Sequence, residues 1–268
     1  MTPSDPPPGR AGGTSELTLV PASDAQRGEI AELFVASRRA AVPAMPPVLD
    51  EADARRWVAG WDLSTREVWV ALEAARVVGY ASLDDDWLDG LYVAPDRARS
   101  GVGSALLQLV KARRPDGFAL WVFASNTPAR SFYARHGLVD LEHTDGSDNM
   151  EHAPDLRMAW PGPDPVGYFR ARIDEVDAEL ATLLARRAAI TAAVQEHKPV
   201  GGQAGRDADR EAEIATRMAR VAPALGEDRV ARIMHTVISE SLAAAEERPA
   251  QDHSPRHVRP ARPPGGDR

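Results

Sequence analysis

The spacing of apolar and polar residues divides the chain into two stretches with different periods. Between about residues 15 and 160, strand-length apolar runs alternate with helical patterns. Leu17–Val20 predicts a strand, and Ala25–Arg39 and Asp50–Trp61 predict helices. Strand patterns follow over Glu67–Leu72, Val77–Leu83 and Trp87–Val93. Next come a helix from Val102 to about Arg113, a strand over Phe118–Phe123, a helix over Pro128–His136, and two further strands ending at Trp160. This mixture implies an α/β or α+β domain, a sheet flanked by helices. The prolines of Pro161-Gly-Pro-Asp-Pro165 can continue neither strand nor helix, so residues 161–165 are expected to be a linker. Beyond it the period is helical throughout. A helix is predicted over Val166–His197, a glycine-rich turn over Gly201–Gly205, a second helix from about Asp207 to Val221, and a third from about Glu227 to Glu247.

One position breaks the pattern of the long helix. Its apolar stripe runs Phe169, Ile173, Val176, Leu180, Leu183, then Arg187, then Ile190 and Val194, in steps of four and three. A guanidinium buried in such a stripe costs several kcal/mol unless something anionic meets it. Either a protein carboxylate or an anionic ligand is therefore expected at Arg187. Lys198 returns to within about 20° of Arg187 on the helix, so two cations share one face. Arg170 lies roughly 100° away and cannot easily serve the same pocket in its own subunit. The helix is about 45 Å long, more than two shorter helices can cover. An interlocked homodimer is expected to bury the remaining seam.

The length of 268 residues suits two modest domains, and 43% hydrophobic with 27% charged residues is an ordinary soluble composition. A net charge of −8 argues against nucleic acid as a partner. With no cysteine there are no disulfides, thiolate metal sites or thiol nucleophiles, which is compatible with a cytoplasmic location. The start of the chain has no secretory pattern and no apolar run reaches membrane-spanning length, so no membrane association is expected. Residues 1–14 and 248–268 read as disordered tails. The histidines show no metal-ligand spacing. Asp145-Gly-Ser-Asp-Asn149 begins like a calcium loop, but Met150 stands where the turn requires glycine, so no metal is expected.

Two segments carry the chemistry of the first half. Leu91-Tyr-Val-Ala-Pro-Asp-Arg-Ala-Arg-Ser-Gly-Val-Gly-Ser104 joins a strand to a helix through Gly101 and Gly103, offering free amides to an anion such as pyrophosphate. The second segment is Trp121-Val-Phe-Ala-Ser-Asn-Thr-Pro-Ala-Arg-Ser-Phe-Tyr-Ala-Arg-His-Gly-Leu138. Together they resemble the GNAT superfamily of acyl-CoA-dependent N-acetyltransferases over residues 15–160. The resemblance implies acetyl-CoA as co-substrate and an amine as acceptor. It implies that the amides of Arg99, Ser100, Gly101, Val102, Gly103 and Ser104 hold the pyrophosphate. Leu91, Tyr92 and Val93 would pair with the pantetheine, and Asn126 would lie near its arm. Tyr133 would protonate the leaving thiolate as general acid. The family usually has Gln or Arg at the position of Ala98, with Arg97 and Arg99 here as its neighbours. A carboxylate must take the amine's proton. Asp89 is the leading candidate, ahead of Asp84, Asp85 and Asp86, which also read as a solvated hairpin turn.

The second half resembles the all-helical chorismate mutases over residues 166–247. The matching pieces are Arg170-Ala-Arg-Ile-Asp-Glu-Val-Asp177, Leu183-Leu-Ala-Arg-Arg187, Lys198, Arg206-Asp-Ala-Asp-Arg-Glu211 and Ser241. The resemblance implies that Arg187 and the partner's copy of Arg170 bind the two carboxylates of chorismate. Lys198 would contact a carboxylate and the ether oxygen. Asp207, Glu211 and Ser241 would meet the hydroxyl end, with Arg210 supporting that wall. The rearrangement to prephenate needs no nucleophile, only a clamp and donors for the charge growing on the ether oxygen. The family places Gln or Glu four residues after Ser241, and here that residue is Ala245, with Glu246 one step further round the helix. The missing donor predicts a weak mutase, one acting on a chorismate analogue, or a binding domain.

The expected protein is thus a bifunctional enzyme, an acetyl-CoA-dependent N-acyltransferase fused to a dimeric chorismate mutase. The alternatives are an acyltransferase controlled by a dimerising, chorismate-sensing helical module, and a lyase acting on isochorismate.

Overall fold

The structure, a computed structural model, describes residues 16–45 and 50–247. The tails expected to be disordered, 1–14 and 248–268, lie outside the described residues. The chain forms two compact units, Met1–Ala171 and Arg172–Arg268.

The first unit is built on a mixed seven-stranded sheet of order β1-β2-β3-β4-β5-β7-β6. Its strands are β1 (Thr18–Pro21), β2 (Glu67–Glu73), β3 (Arg76–Asp84), β4 (Trp87–Val93), β5 (Phe118–Phe123), β6 (Val139–His143) and β7 (Asp155–Trp160). The helices are α1 (Arg27–Ala40), α2 (Glu51–Ala59), α3 (Val102–Arg113) and α4 (Thr127–Arg135). Strand β3 is buried along nearly its whole length because both of its faces are covered. Val77 and Tyr80 pack with Ile30, Phe34 and Val58 of α1 and α2. Val78, Ala81 and Leu83 pack with Leu106, Leu107 and Tyr133 of α3 and α4. Alternation along the strands, shifted on β3 by a bulge at Val78, thus sorts two cores onto opposite faces.

Two irregularities make the site. β4 and β5 are the parallel pair, and Trp87 with Ala119 is the residue pair in register between them, so the strands part beyond it. Between β3 and β4, Ser82 faces Gly90 while Leu83 faces Leu88, which leaves Asp89 as the bulged residue. Bulges re-aim side chains and recur beside active sites. Asp85 and Asp86 are the turn of this hairpin, and Asp84 pairs with Trp87.

A long helix α5 (Pro165–His197) follows without interruption. Its first turns belong to the sheet unit, where Tyr168 and Phe169 pack beside Ala119, Ala159 and Trp87. Phe169 therefore departs from expectation: it joins the sheet's core instead of opening a helical seam. The second unit adds α6 (Ala208–Val221) and α7 (Gly226–Glu246), whose shared core is small, with Ala215, Val230 and Met234 at its centre. The stripe side chains Ile173, Val176, Leu180, Leu183, Ile190 and Val194 are between 45% and 61% exposed in the single chain. No helix among the described residues is long and apolar enough to cross a membrane.

Candidate functional sites

The loop between β4 and α3 is shaped for an anion. Arg99 and Gly101 both have positive φ, 63° and 95°, and Gly101 is the N-cap of α3. The first amides of α3 have no intrahelical carbonyl to meet, so Val102, Gly103 and Ser104 present N–H groups outward at the positive end of the helix. A groove of about 640 Å³ runs past them, lined by Leu91, Val93, Ala98, Arg99, Gly101, Gly103, Ser104, Pro128, Phe132, Arg135 and His136. Side chains of Val102 and Ser100 are not among its walls: Val102 is buried in the core, and Ser100 Oγ donates to the Arg97 carbonyl at 2.6 Å. Arg97, next to Ala98, is paired with Glu73, which accepts from its Nε at 2.6 Å. Arg99 and Arg135 carry no ion pair among the described residues and supply the groove's free positive charge. Arg135 and His136 were not among the expected contacts. Ser104 Oγ lies 3.1 Å from His136 Nε2, while His136 Nδ1 lies 2.8 Å from the Phe132 carbonyl, so the imidazole is fixed against the groove.

Where β4 and β5 part, a second cavity of about 330 Å³ is lined by Leu88–Val93, Leu120–Phe123, Asn126, Tyr133, Arg38, Met45 and Asp155 among others. Tyr133 is 8% exposed, its phenol has no hydrogen-bond partner among the described residues, and burial pushes its pKa above the ordinary value. It is therefore a neutral O–H at the cavity wall. Asn126 caps α4, accepting from Ala129 N at 3.2 Å. Tyr92 lines this cavity instead of the groove. Asp89 lines it too, paired with Arg66, which also donates to Ser82 Oγ at 3.2 Å. Asp84, Asp85 and Asp86 are not among its walls. Arg38 binds Glu151 at 2.9 Å. Asp155, absent from the sequence reading, is 9% exposed at the start of β7.

In the helical unit a cavity of about 130 Å³ gathers Arg187, Gln195, Lys198, Arg206, Asp207, Arg210 and Glu211 over apolar walls that include Ile214 and Leu242. Arg187 is half-buried and meets no carboxylate among the described residues. Its Nη1 donates to Ser241 Oγ at 2.8 Å and to the Val237 carbonyl at 3.3 Å. Ser241 is 7% exposed behind it, donates to Val237 O at 2.6 Å, and is not among the cavity's walls. Lys198 Nζ donates to Gly205 O at 2.7 Å. Asp207 is the N-cap of α6, accepting from Arg210 N at 3.0 Å. Glu211 receives Arg206 Nε at 2.7 Å, a bond that holds its carboxyl below the ordinary range. Arg206 also donates to Ser239 Oγ at 2.8 Å, locking the α5–α6 loop to α7. Gln195 Oε1 accepts from Gly202 N at 2.7 Å, which leaves its amide N–H groups for the cavity. Arg170 is exposed on α5 and is not among the walls.

These two arrangements define the class. Residues 64–138 match the acetyltransferase (GNAT) domain family, and residues 169–246 match chorismate mutase type II. The chain carries a GNAT acetyltransferase domain, a mixed sheet with helices, followed by a helical chorismate mutase type II domain. Among curated proteins it is similar to the peptidyl-lysine N-acetyltransferase YiaC of Escherichia coli, 33% identical over 102 residues, 37% of this chain and 66% of that protein. It is also similar to the uncharacterized N-acetyltransferase YafP of the same organism, 39% identical over 93 residues, 34% of this chain and 57% of that protein. The chain thus spans two thirds or less of the length of these relatives. Among solved structures, an N-acetyltransferase from Thermoplasma acidophilum in complex with coenzyme A aligns at 18% identity and a TM-score of 0.42, over 55% of this chain and 99% of that one.

Proposed function

We propose that this chain is a bifunctional, homodimeric enzyme, an acetyl-CoA-dependent N-acyltransferase over residues 15–160 joined by 161–165 to a chorismate mutase over residues 166–247. In the first half, the observation that carries the reading is the continuity of chemistry from the α3 amides to Tyr133. The pyrophosphate lies at the amides of Arg99–Ser104, with Arg99 and Arg135 beside it, and the pantetheine follows β4 into the gap between β4 and β5. The amine attacks the thioester carbonyl, the C–N bond forms, and the C–S bond breaks. Tyr133 then gives its proton to the leaving thiolate and takes back the proton that nitrogen loses as the amide forms. The peptidyl-lysine specificity of the E. coli relative makes a lysine ε-amine the first acceptor to test.

In the second half, the carrying observation is Arg187, a half-buried cation without a carboxylate partner beside Lys198 and Arg210. That charge fits a dicarboxylate. Arg187 binds one carboxylate, the partner's copy of Arg170 binds the other, and Lys198 bridges to the ether oxygen whose charge grows as the bond breaks. Asp207 and Glu211 meet the hydroxyl end. The exposed stripe on α5 supports the dimer that completes the clamp. Ala245 favours a second reading for this half, a dimerising sensor that binds chorismate with little turnover.

Chorismate loss with product identification tests both. Prephenate formed by the purified protein and lost in Arg187→Ala supports the mutase, and equal rates in the two refute it. Tight binding without turnover selects the sensor, and pyruvate with salicylate from isochorismate selects a lyase. For the first half, Gly103→Val places a side chain where the groove walls already lie at 3.5 Å from an added Cβ. Acetyl-CoA affinity unchanged by that substitution would count against the groove.

A further inference from the structure

The carboxylates of the cavity between β4 and β5 are not equivalent. Asp89 is held by Arg66, so its charge is answered by a guanidinium, while Arg38, also on the cavity wall, is held by Glu151, which lies outside those walls. Asp155 is the more buried of the cavity's two, and it has no cationic partner among the described residues. Its oxygens accept from two neutral donors, Thr144 Oγ1 and Asn149 Nδ2, the latter at 3.0 Å. A carboxylate out of water and without a counter-charge is costly. It keeps lone pairs beyond the two in use, since an ionised carboxylate offers about four acceptor positions.

Its place in the sheet decides what those lone pairs face. Asp155 lies opposite Phe123 in the β5–β7 ladder, while its neighbour Leu156 lies opposite Val122. Leu156 and Val122 belong to the same core as Tyr133. By strand alternation Asp155 is on the other face, the one covered by α1 and α2 elsewhere in the sheet. Tyr133 and Asp155 both line the cavity and approach it from opposite faces.

Resting on the acetyltransferase reading, we infer that Asp155 binds the acceptor as its ammonium ion and is the base that deprotonates it. The ammonium gives one proton to the Asp155 carboxylate and becomes the free amine. The amine's lone pair forms the C–N bond to the thioester carbonyl. As the tetrahedral adduct collapses, the electron pair of the C–S bond leaves with sulfur. The proton lost from nitrogen as the amide forms reaches that sulfur through the Tyr133 hydroxyl, and Asp155 returns its proton to solvent. Asp89, tied to Arg66 on the β4 bulge, serves as a positioning charge at the cavity's edge.

The test uses the full chain, with n-butylamine as a lysine-like probe and acetyl-CoA as donor. Acetyl-CoA binding, n-butylamine binding to the CoA-saturated protein, and thiol release are measured across a range of pH. Asp155→Asn should keep acetyl-CoA affinity within about twofold. It should lose n-butylamine binding and lower kcat/KM for the amine by about 10² or more, the usual size of a general-base contribution. The acidic limb of the rate profile should vanish with it, and Asp155→Glu should restore that limb with a moved midpoint. Thr144→Val perturbs the same loop and leaves the charge in place, so it should lower thermal stability and keep the limb. An Asp155→Asn enzyme with an unchanged profile, or a Thr144→Val enzyme that also loses the limb, overturns the inference and makes Asp155 a loop anchor. Wild-type protein that binds acetyl-CoA but neither binds nor acetylates n-butylamine overturns it while the CoA site stands. Failure to bind acetyl-CoA refutes the acetyltransferase reading itself.

Discussion

Replacing Leu183 by Asp should dissociate the proposed dimer and silence the proposed mutase together. Leu183 sits in the middle of the α5 stripe and is 59% exposed in the single chain. Full burial of such a side chain is worth about 1.5–3 kcal/mol, so covering the exposed part contributes roughly 1 kcal/mol. The stripe as a whole, counted on both protomers, offers on the order of 10 kcal/mol, and an association cost of about 4 kcal/mol or more leaves at most about 6 kcal/mol, a dimer that dissociates on dilution. Leu183→Asp removes that contribution and sets an unpaired carboxylate into the seam twice, at several kcal/mol each. A loss of about 4 kcal/mol or more weakens dimerisation by roughly 10³. Sedimentation velocity over a concentration series reads this directly, and chorismate turnover should fall in parallel because the partner's Arg170 is withdrawn. A wild-type protein that sediments as a monomer at every concentration refutes the reasoning. So does a Leu183→Asp protein that remains a fully active dimer.

Tyr133→Phe should lower acetyl transfer by about 10² with little change in Tm, because the phenol has no protein partner to lose. Burial raises the Tyr133 pKa, so the hydroxyl stays protonated and no alkaline limb due to it should appear in the working range. Glu67 should act as an acid-sensitive stabiliser. Burial would raise its pKa, but hydrogen bonds from Trp69, Arg114 and Arg113 outweigh that and bring it to about 2. A carboxylate depressed on folding stabilises the fold above its unfolded pKa, and that stability is lost as pH falls from about 4.5 towards 2. Glu67→Gln should therefore flatten the fall of Tm over that window in a thermal-melt series. Ala245→Gln should raise chorismate turnover about tenfold or more by adding a donor one turn beyond Ser241, and an unchanged rate would show that the missing amide does not limit the chemistry.

What could be read from the sequence was what a fixed helical or strand period determines. The angular relation of Arg187, Lys198 and Arg170 follows from 3.6 residues per turn, and the glycine loop before α3 announces itself by Gly101 and Gly103. What could not be read depends on contacts between distant segments. Arg97 neighbours Ala98 in sequence, and only the folded chain brings Glu73 of β2 to pair with it. Asp89 is legible as a candidate base, but its bulge and its pairing with Arg66 arise only when β3 and β4 are in register. Asp155 gave no local signal, because its significance comes from β7 lying beside β5 and from Thr144 and Asn149 on the preceding loop. Phe169 fitted the helical stripe by spacing, and a tertiary contact with the sheet took it instead. Gln195 gives no local signal either, and Arg206, although within a matching segment, shows its role only through the loop that brings α6 back to α5.

The two cavities differ in the sign of what is left unpaired, and this bears on whether one ligand could serve both. In the helical unit the carboxylate Glu211 is already taken by Arg206, so Arg187, Lys198 and Arg210 outnumber Asp207, the one other carboxylate among the cavity's walls, and leave net positive charge. In the sheet unit the guanidinium of Arg38 is taken by Glu151 and that of Arg66 by Asp89, so Asp155 remains as unanswered negative charge. A dicarboxylate that satisfies the first cavity is repelled by the second, and an ammonium that satisfies the second finds like charge in the first. Chorismate and its dianionic relatives are thus poor candidates for the acetyl acceptor, even though both domains lie on one chain. Any coupling between the activities must then act through the protein, so chorismate added to the acetyl-transfer assay should not compete with the amine, and competitive inhibition would refute the charge argument.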